Sequence, residues 1–158
     1  MELYLTLDIN EKMHPDFISD VRDSIPDLLV KFDLIIITDV LEHIELHTLH
    51  IALNNIFSYG QPGCNVIVTI PFRRTFFTFF SSLNYEPKFI SIVNGFGSFR
   101  SFYRNFILKK PWIDPHHCYE IGVGNVSLSS INQIIESVGF KIKVCKKIPY
   151  VNFWVLEK

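Results

Sequence analysis

The chain has 158 residues, a formal net charge of −1 and 48% hydrophobic residues, which predicts one domain with a sizeable buried core. A membrane-spanning helix needs about 18 consecutive apolar residues, and this sequence has no such run without a charged residue. The first residues lack the basic segment of a signal peptide. Three scattered cysteines favour reduced thiols over a disulfide framework. These features predict a cytoplasmic protein.

Three strand candidates in the N-terminal part each end near an acidic residue. Short apolar segments over residues 3–9 and 17–21 end near Asp8 and Asp20. The uninterrupted run Phe32–Thr38 is typical of a parallel strand that is buried on both faces. Polar groups at the carboxyl ends of such strands lie where open α/β sheets bind ligands.

Helical spacing and a further strand follow this run. Residues 46–58 carry apolar side chains at helical intervals, Gly60 supplies a helix end, and residues 65–70 form another apolar run. A strand, a helix and a strand in this order predict a βαβ crossover and a parallel sheet.

The C-terminal part predicts one helix and two strands. Residues 127–138 place apolar side chains on one face, with serine at the start and Gly139 just past the end. Residues 140–144 alternate in polarity, and a second apolar run covers residues 152–156. The short link between them predicts an antiparallel pair at the edge of the sheet.

Residues 72–113 differ in kind from the sequence on either side. They contain 7 basic and 1 acidic side chains with 13 aromatics, whereas residues 1–71 contain 3 basic and 11 acidic ones. Residues 72–83 are consistent with an amphipathic helix, and a second helical candidate surrounds residues 99–106. We interpret residues 72–113 as a helical insertion within a single domain, residues 1–158. Contact with an anionic membrane surface or with single-stranded nucleic acid is an alternative role for it.

Three segments resemble class I S-adenosylmethionine-dependent methyltransferases of the type 11 and 23 kind. Residues 32–44, FDLIIITDVLEHI, resemble the fourth strand and following turn of that family. Residues 61–72, QPGCNVIVTIPF, and 126–140, VSLSSINQIIESVGF, are similar to its fifth strand and last helix. The resemblance implies an α/β fold, a Rossmann-like three-layer sandwich. Its sheet would be mostly parallel, with an antiparallel C-terminal strand and an insertion after the fifth family strand that covers the acceptor.

The same resemblance implies a binding site for S-adenosylmethionine. Asp8 matches the acid that accepts hydrogen bonds from the ribose hydroxyls, and a carboxylate can accept two such protons at once. Asp20 and Val21 match the pair that contacts the adenine edge. Thr38 and Asp39 fall beside the methionine part of the cofactor, and Asp39 could also cap the helix that follows.

One motif of the family is missing. Its first strand leads into a G-x-G-x-G loop that approaches the cofactor closely, but the first glycine of this sequence is Gly60. Other residue types cannot replace glycine where backbone must approach a ligand. This difference predicts an N-terminally truncated chain or, alternatively, a degenerate and non-catalytic binding or scaffold domain.

Residues 114–120, DPHHCYE, form the densest group of reactive side chains. They resemble a D-x-x-H segment that some family members place over the substrate, which implies that His116 or His117 takes a proton from the methyl acceptor. Structural roles in a loop are the alternative for both histidines. A cysteine nucleophile at Cys118 would need a positioned partner that the sequence does not reveal.

No metal ligand is predicted. Some metal-dependent O-methyltransferases hold a divalent cation with an acid-x-x-Glu-His cluster, which Asp39, Glu42 and His43 could reproduce. The Leu-Glu-His string is nevertheless common in members without metal. His43 and His47 lack the H-E-x-x-H arrangement of zinc proteases, and a solvated helix face is the preferred interpretation.

Together these features predict methyl transfer from S-adenosylmethionine to a small-molecule or lipid-like acceptor. The protein would be cytoplasmic, with peripheral membrane contact through residues 72–113 as an alternative location. Nucleic acid is the least favoured partner, and the sequence predicts no oligomeric state.

Overall fold

The computed structural model describes residues 4–71, 74–80, 87–93, 103, 107–108, 113–148 and 151–158. In chain order these residues form the elements β1 (Leu7–Asp8), β2 (Phe17–Ile18), β3 (Phe32–Thr38), α1 (Leu49–Tyr59), β4 (Gly60–Pro71), β5 (Arg74–Phe80), β6 (Pro87–Val93), α2 (Leu128–Val138), β7 (Lys141–Ile148) and β8 (Val151–Glu157). Short 3-10 turns cover Glu11–Met13, Pro26–Leu28 and Leu41–His43.

The main sheet has four strands in the order β3-β4-β8-β7. Strands β3 and β4 are parallel, with Thr38 opposite Thr69, and helix α1 connects them as predicted. The C-terminal strands form the predicted antiparallel pair, and β8 lies between β4 and β7. Among the described residues this sheet is mixed, so the expectation of a mostly parallel sheet is wrong for it.

Helices α1 and α2 pack against each other on one face of the sheet. Alternate residues of β4 and β8 point into the same core, because successive side chains of a strand face opposite sides. Trp154 is completely buried there, and its Nε1 donates a 2.9 Å hydrogen bond to Asn132 Oδ1 on α2. Other members of this core are Leu49, Leu53, Ile56, Val66, Val68, Ile131, Ile135 and Leu156.

The opposite face of the sheet is less covered. Leu34 and Ile36 of β3 are 47% and 61% exposed, whereas Ile37 on the other face is 8% exposed. The helices among the described residues lie on the core side. The second helical layer of a three-layer sandwich is therefore not supplied by this part of the chain, and β3 is not buried on both faces as its apolar run suggested.

The N-terminal strands form a separate two-stranded parallel sheet. Leu7 and Asp8 of β1 pair with Phe17 and Ile18 of β2. Apolar segments over residues 3–9 and 17–21 therefore yield strands of two residues each. Between them, Asn10 caps the 3-10 turn Glu11–Met13 by accepting from the Lys12 N–H.

Residues 72–113 differ from the predicted helical insertion where they are described. Instead of an amphipathic helix over residues 72–83, strand β5 pairs antiparallel with β6. Aromatic and β-branched residues favour extended chain, and the Phe-Phe-Thr-Phe-Phe run satisfies strand propensity as well as helical spacing. Apart from residue 103, the second helical candidate at residues 99–106 lies outside the described residues.

Helix α2 begins and ends as its sequence predicts. Ser127 accepts from the Ser130 N–H and Ser130 Oγ accepts from the Ser127 N–H, which satisfies two donors at the helix start. Gly139 adopts the left-handed conformation with φ of 110° at the other end. Within the described part of the chain, neither helix has the length and apolarity that crossing a bilayer requires.

Candidate functional site

Asp8 ends β1 with a half-buried carboxylate. Its Oδ1 accepts a 2.7 Å hydrogen bond from the Asn10 N–H, which turns the chain away from the strand. A carboxylate has about four lone-pair sites, so most of its acceptor capacity remains after this bond. Asp8 therefore retains the chemistry that binding two hydroxyl groups requires.

Asp20 is engaged by a neighbouring guanidinium. Arg22 donates from Nε to Oδ1 at 2.9 Å and from Nη2 to Oδ2 at 2.6 Å, and the Arg22 N–H also donates to Oδ1. These hydrogen bonds from Arg22 lower the pKa of Asp20 below its ordinary value. Val21, beside it, packs against the main core, and its carbonyl accepts from Asn55 Nδ2. An adenine contact at Asp20 would have to share the carboxylate with Arg22.

Thr38 and Asp39 lie exposed at the carboxyl end of β3. Asp39 has a φ of 55°, the left-handed conformation, and its Oδ1 lies 3.5 Å from Thr69 Oγ1 on β4. The following 3-10 turn has Val40 at its N-cap position, without a side-chain hydrogen bond. The alternative role of Asp39 as a helix cap is therefore wrong, and its carboxylate is presented at the sheet edge instead.

A turn and a distant loop meet directly after this strand. The Cys118 N–H donates to Glu42 O at 2.8 Å, and Cys118 Sγ donates to His43 O at 3.2 Å. His43 Nδ1 lies 2.8 Å from His116 O. Three hydrogen bonds thus hold the turn Leu41–His43 against residues 116–118, which are more than 70 positions away in the sequence.

Glu42, which the sequence offered only as a member of an acid-x-x-Glu-His string, lies at this junction. It is 1% exposed, and neither carboxylate oxygen has a hydrogen-bond partner among the described residues. Burial raises the pKa of Glu42 above its ordinary value, although His43 and His117 oppose this shift. His43 and His47 are both exposed, as expected, but they do not share one helix face, because His43 ends the turn Leu41–His43 and His47 precedes α1.

His117 lies between His43 and a second buried acid. Its ring packs edge-on against the His43 ring, with centroids 5.1 Å apart, and its Nδ1 lies 3.6 Å from Glu120 Oε1. Glu120 is 6% exposed and its Oε1 accepts from the Asp114 N–H. His116, in contrast, is exposed. The two predicted base candidates thus differ, since one is held in a polar cluster and the other faces solvent.

Tyr119, next to these residues, is also buried. It is 3% exposed, and burial raises the pKa of its hydroxyl. The hydroxyl has no hydrogen-bond partner within the described part of the chain. Glu42, Tyr119 and Glu120 therefore bring unpaired buried oxygen atoms to one region. Apart from the place of Glu42 in the acid-x-x-Glu-His string, no local pattern indicates this grouping, because burial depends on residues distant in the chain.

The fold is similar to those of solved methyltransferases. An S-adenosylmethionine-dependent methyltransferase from Mesorhizobium loti matches with a TM-score of 0.55 and 14% sequence identity, over 96% of this chain and 78% of that one. The 1,6-didemethyltoxoflavin-N1-methyltransferase of Burkholderia thailandensis matches with a TM-score of 0.57 and 9% identity, over 96% and 59%. An O-methyltransferase family protein from the same organism matches with a TM-score of 0.51 and 10% identity, over 90% and 35%.

Sequence comparison alone finds no such relationship, because no family profile and no curated protein matches this chain. The chain spans 59% and 35% of the length of the two Burkholderia proteins. At these identities the similarity concerns the fold. The chain therefore has the fold of S-adenosylmethionine-dependent methyltransferases.

Proposed function

We propose that this chain takes part in methyl transfer from S-adenosylmethionine to a small-molecule or lipid-like acceptor. The observation that carries the proposal is the placement of Asp8, Asp20 and Asp39 at or just after the carboxyl ends of β1, β2 and β3, in a methyltransferase fold. Ligands of open α/β sheets bind at the carboxyl ends of the strands, although β1 and β2 pair in a sheet separate from that of β3. One similar protein was solved with 1,6-didemethyltoxoflavin and S-adenosylhomocysteine bound, a small acceptor and the demethylated cofactor.

The residues present fit the cofactor in part. Asp8 would accept from the ribose hydroxyls with its unused lone pairs, and Thr38 and Asp39 would lie beside the methionine part. Asp20 and Val21 would contact adenine, with Arg22 remaining on the Asp20 carboxylate. The bound cofactor supplies an electrophilic sulfonium methyl group, and the protein contributes mainly alignment of the acceptor with it.

Proton removal from the acceptor falls to His116 or His117. His117 has the better supported geometry for a base, because its ring packs against His43 and its Nδ1 lies 3.6 Å from Glu120 Oε1, which a small movement would bring within hydrogen-bond distance. His116 is exposed and therefore accessible to an acceptor from solvent. An acceptor without an acidic proton would need neither.

A non-catalytic methyltransferase-like binding or scaffold domain is the second candidate. It is favoured by the absence of any glycine before Gly60 in the sequence and by the pairing of Asp20 with Arg22. Peripheral membrane contact through residues 72–113 is a further proposal, supported by their basic and aromatic composition.

Calorimetric titration with S-adenosylmethionine and S-adenosylhomocysteine tests the cofactor site. Asp8→Asn keeps an oxygen for the Asn10 N–H but removes the charge, and we expect at least tenfold weaker binding from it. The matched control Asp27→Asn changes an exposed aspartate in another turn and should bind as the parent does. Absence of binding by the parent chain would favour the scaffold candidate, and equal binding by Asp8→Asn would remove Asp8 from the site.

A further inference from the structure

The buried Glu42 carboxylate lacks any compensating partner among the described residues. It is 1% exposed, and both of its oxygens are without a hydrogen bond in that part of the chain. An unpaired carboxylate is costly to bury in a protein, so buried charges are normally paired or bound to metal ions. Glu42 has no nearby lysine or arginine ion pair among the described contacts. Its position therefore calls for a cation.

Two imidazole rings lie against this carboxylate. Glu42, His43 and His117 each offer one ligand atom, and the three atoms lie within 4.8 Å of one another. Ligands about 2.1 Å from a shared tetrahedral ion would be about 3.4 Å apart. Small side-chain rotations close this difference, because both histidines are on exposed or partly exposed positions.

Contacts around the imidazoles suit metal binding. A carbonyl oxygen can only accept, so the 2.8 Å contact with His116 O places the proton of neutral His43 on Nδ1. The lone pair of His43 is then on Nε2, available to an ion. His117 Nδ1 lies 3.6 Å from Glu120 Oε1 and has no hydrogen-bond partner among the described residues, so a small movement of either side chain would be needed to form this contact. Carbonyls and carboxylates on the second nitrogen of a histidine are typical of metal sites, where they orient the ring.

The two halves of the cluster are also held in place by backbone contacts. The Cys118 N–H bonds to the Glu42 carbonyl at 2.8 Å, so the turn Leu41–His43 and the His117 loop keep their relative position. This arrangement is present before any ion binds, which reduces the conformational entropy lost on binding.

We propose that Glu42, His43 and His117 bind a divalent transition-metal ion. Two nitrogens and one carboxylate oxygen favour zinc, manganese, iron or cobalt over magnesium and calcium, which prefer oxygen ligands. Three protein ligands leave at least one coordination position for an external molecule. The site goes beyond the proposed cofactor pocket and does not depend on it.

One consequence does rest on the proposed function. The cluster begins four residues after the last residue of β3, so an ion there could coordinate an oxygen of the methyl acceptor and lower the pKa of that oxygen as a Lewis acid. His117 would then be occupied as a ligand, which leaves His116 as the residue that can take a proton.

Titration of the metal-free chain with zinc chloride, followed by calorimetry, tests the site directly. We expect one equivalent to bind to the parent chain and at least tenfold weaker binding to both Glu42→Gln and His117→Ala. The matched control His47→Ala removes a histidine that is exposed before α1 and should bind as the parent does. Cys118→Ser and Cys145→Ser should also retain the ion, which separates this site from adventitious thiol binding.

Thermal unfolding distinguishes loss of the site from loss of the fold. In chelator, Glu42→Gln should be at least as stable as the parent chain, because it removes a buried charge that has no partner. Zinc should raise the Tm of the parent and leave that of Glu42→Gln unchanged. The proposal is overturned if the parent binds no zinc, if Glu42→Gln and His117→Ala bind as the parent does, or if binding disappears in Cys118→Ser. None of these readouts requires S-adenosylmethionine, so they are independent of the proposed function.

Discussion

The four-stranded sheet and the N-terminal residues 4–31 are both built around a parallel strand pair, but different forces hold them. Helices α1 and α2 bury the core face of the large sheet, where Trp154 and Ile135 are at most 1% exposed. In the small β1-β2 sheet Ile18 is 58% exposed, and Ile9, which directly follows β1, is 71% exposed. Its contacts are largely polar and local, as in the bonds from Thr6 to Asp16.

This difference shows how strand length depends on burial. Forming a strand costs conformational entropy, and burial of one apolar face against a core offsets that cost. Strand β4 has such a face and extends over 12 residues, whereas β1 and β2 have 2 residues each. We therefore expect the stability of the whole chain to depend on the large sheet and very little on the N-terminal pair.

The largest expected effect is the difference in stability loss when isoleucine is replaced by alanine in each of the two regions. Ile135→Ala on α2 should lower the free energy of unfolding by about 2–5 kcal/mol, because it leaves a cavity in the core. Ile18→Ala on β2 should change it by at most about 0.5 kcal/mol, since the side chain is largely in water. Urea denaturation followed by circular dichroism measures both. Equal losses would contradict the distinction between the two regions.

A smaller effect is expected from the glycine that ends α2. Gly139 has a φ of 110°, and an added Cβ would lie 3.3 Å from Phe57 Cζ. Gly139→Ala should therefore cost more than the about 1–2 kcal/mol typical of a left-handed residue alone. Gly63→Ala is the matched control, because Gly63 also has a positive φ but nothing within 4 Å of the added atom. If both substitutions cost the same, the packing around Phe57 accommodates the extra carbon.

The smallest effect concerns the ion pair of the N-terminal region. Hydrogen bonds from Arg22 lower the pKa of Asp20 from 3.8 in the folded state, so the pair stabilises the fold above that pH. This stabilisation is lost as the pH falls through the lowered folded value. Asp20→Asn should remove this part of the acid sensitivity, and because the pair is partly exposed the change should be small.

Unfolding measurements between pH 6 and about pH 2, where carboxylates titrate, test this expectation, together with the NMR titration of the Asp20 carboxyl. Arg22→Gln should return the Asp20 pKa toward its ordinary value. An unchanged titration in Arg22→Gln would mean that another group holds the carboxylate in its ionised form.

Several parts of the fold follow from local sequence alone. The bounds of β3 agree with its apolar run, and α2 ends at the glycine that the pattern indicates. Helix α1 begins at Leu49 rather than residue 46, because a turn precedes it. These elements could be predicted because hydrophobic periodicity, helix capping and glycine conformation each depend on residues that are close together in the sequence.

The candidate site was predictable only in part. Asp8, Asp20 and Asp39 occupy positions at or just after strand ends, as the sequence indicates, although the engagement of Asp20 by Arg22 was not foreseen. His117 was identified as a reactive residue but not as a neighbour of His43. Strand β5 lies where a helix was predicted, because the aromatic run is compatible with both helical and strand periodicity. Only its pairing with β6 selects the strand.

What the sequence determined by itself is thus the local structure: where the chain extends, where it turns and which acids follow strands. The tertiary structure decided the order β3-β4-β8-β7, the one-sided covering of the sheet and the burial of Glu42 near His43 and His117. The physical reason is the same in each case. Residues 42 and 117 lie far apart in the chain, and only the packed core and the hydrogen bonds across it bring their side chains together.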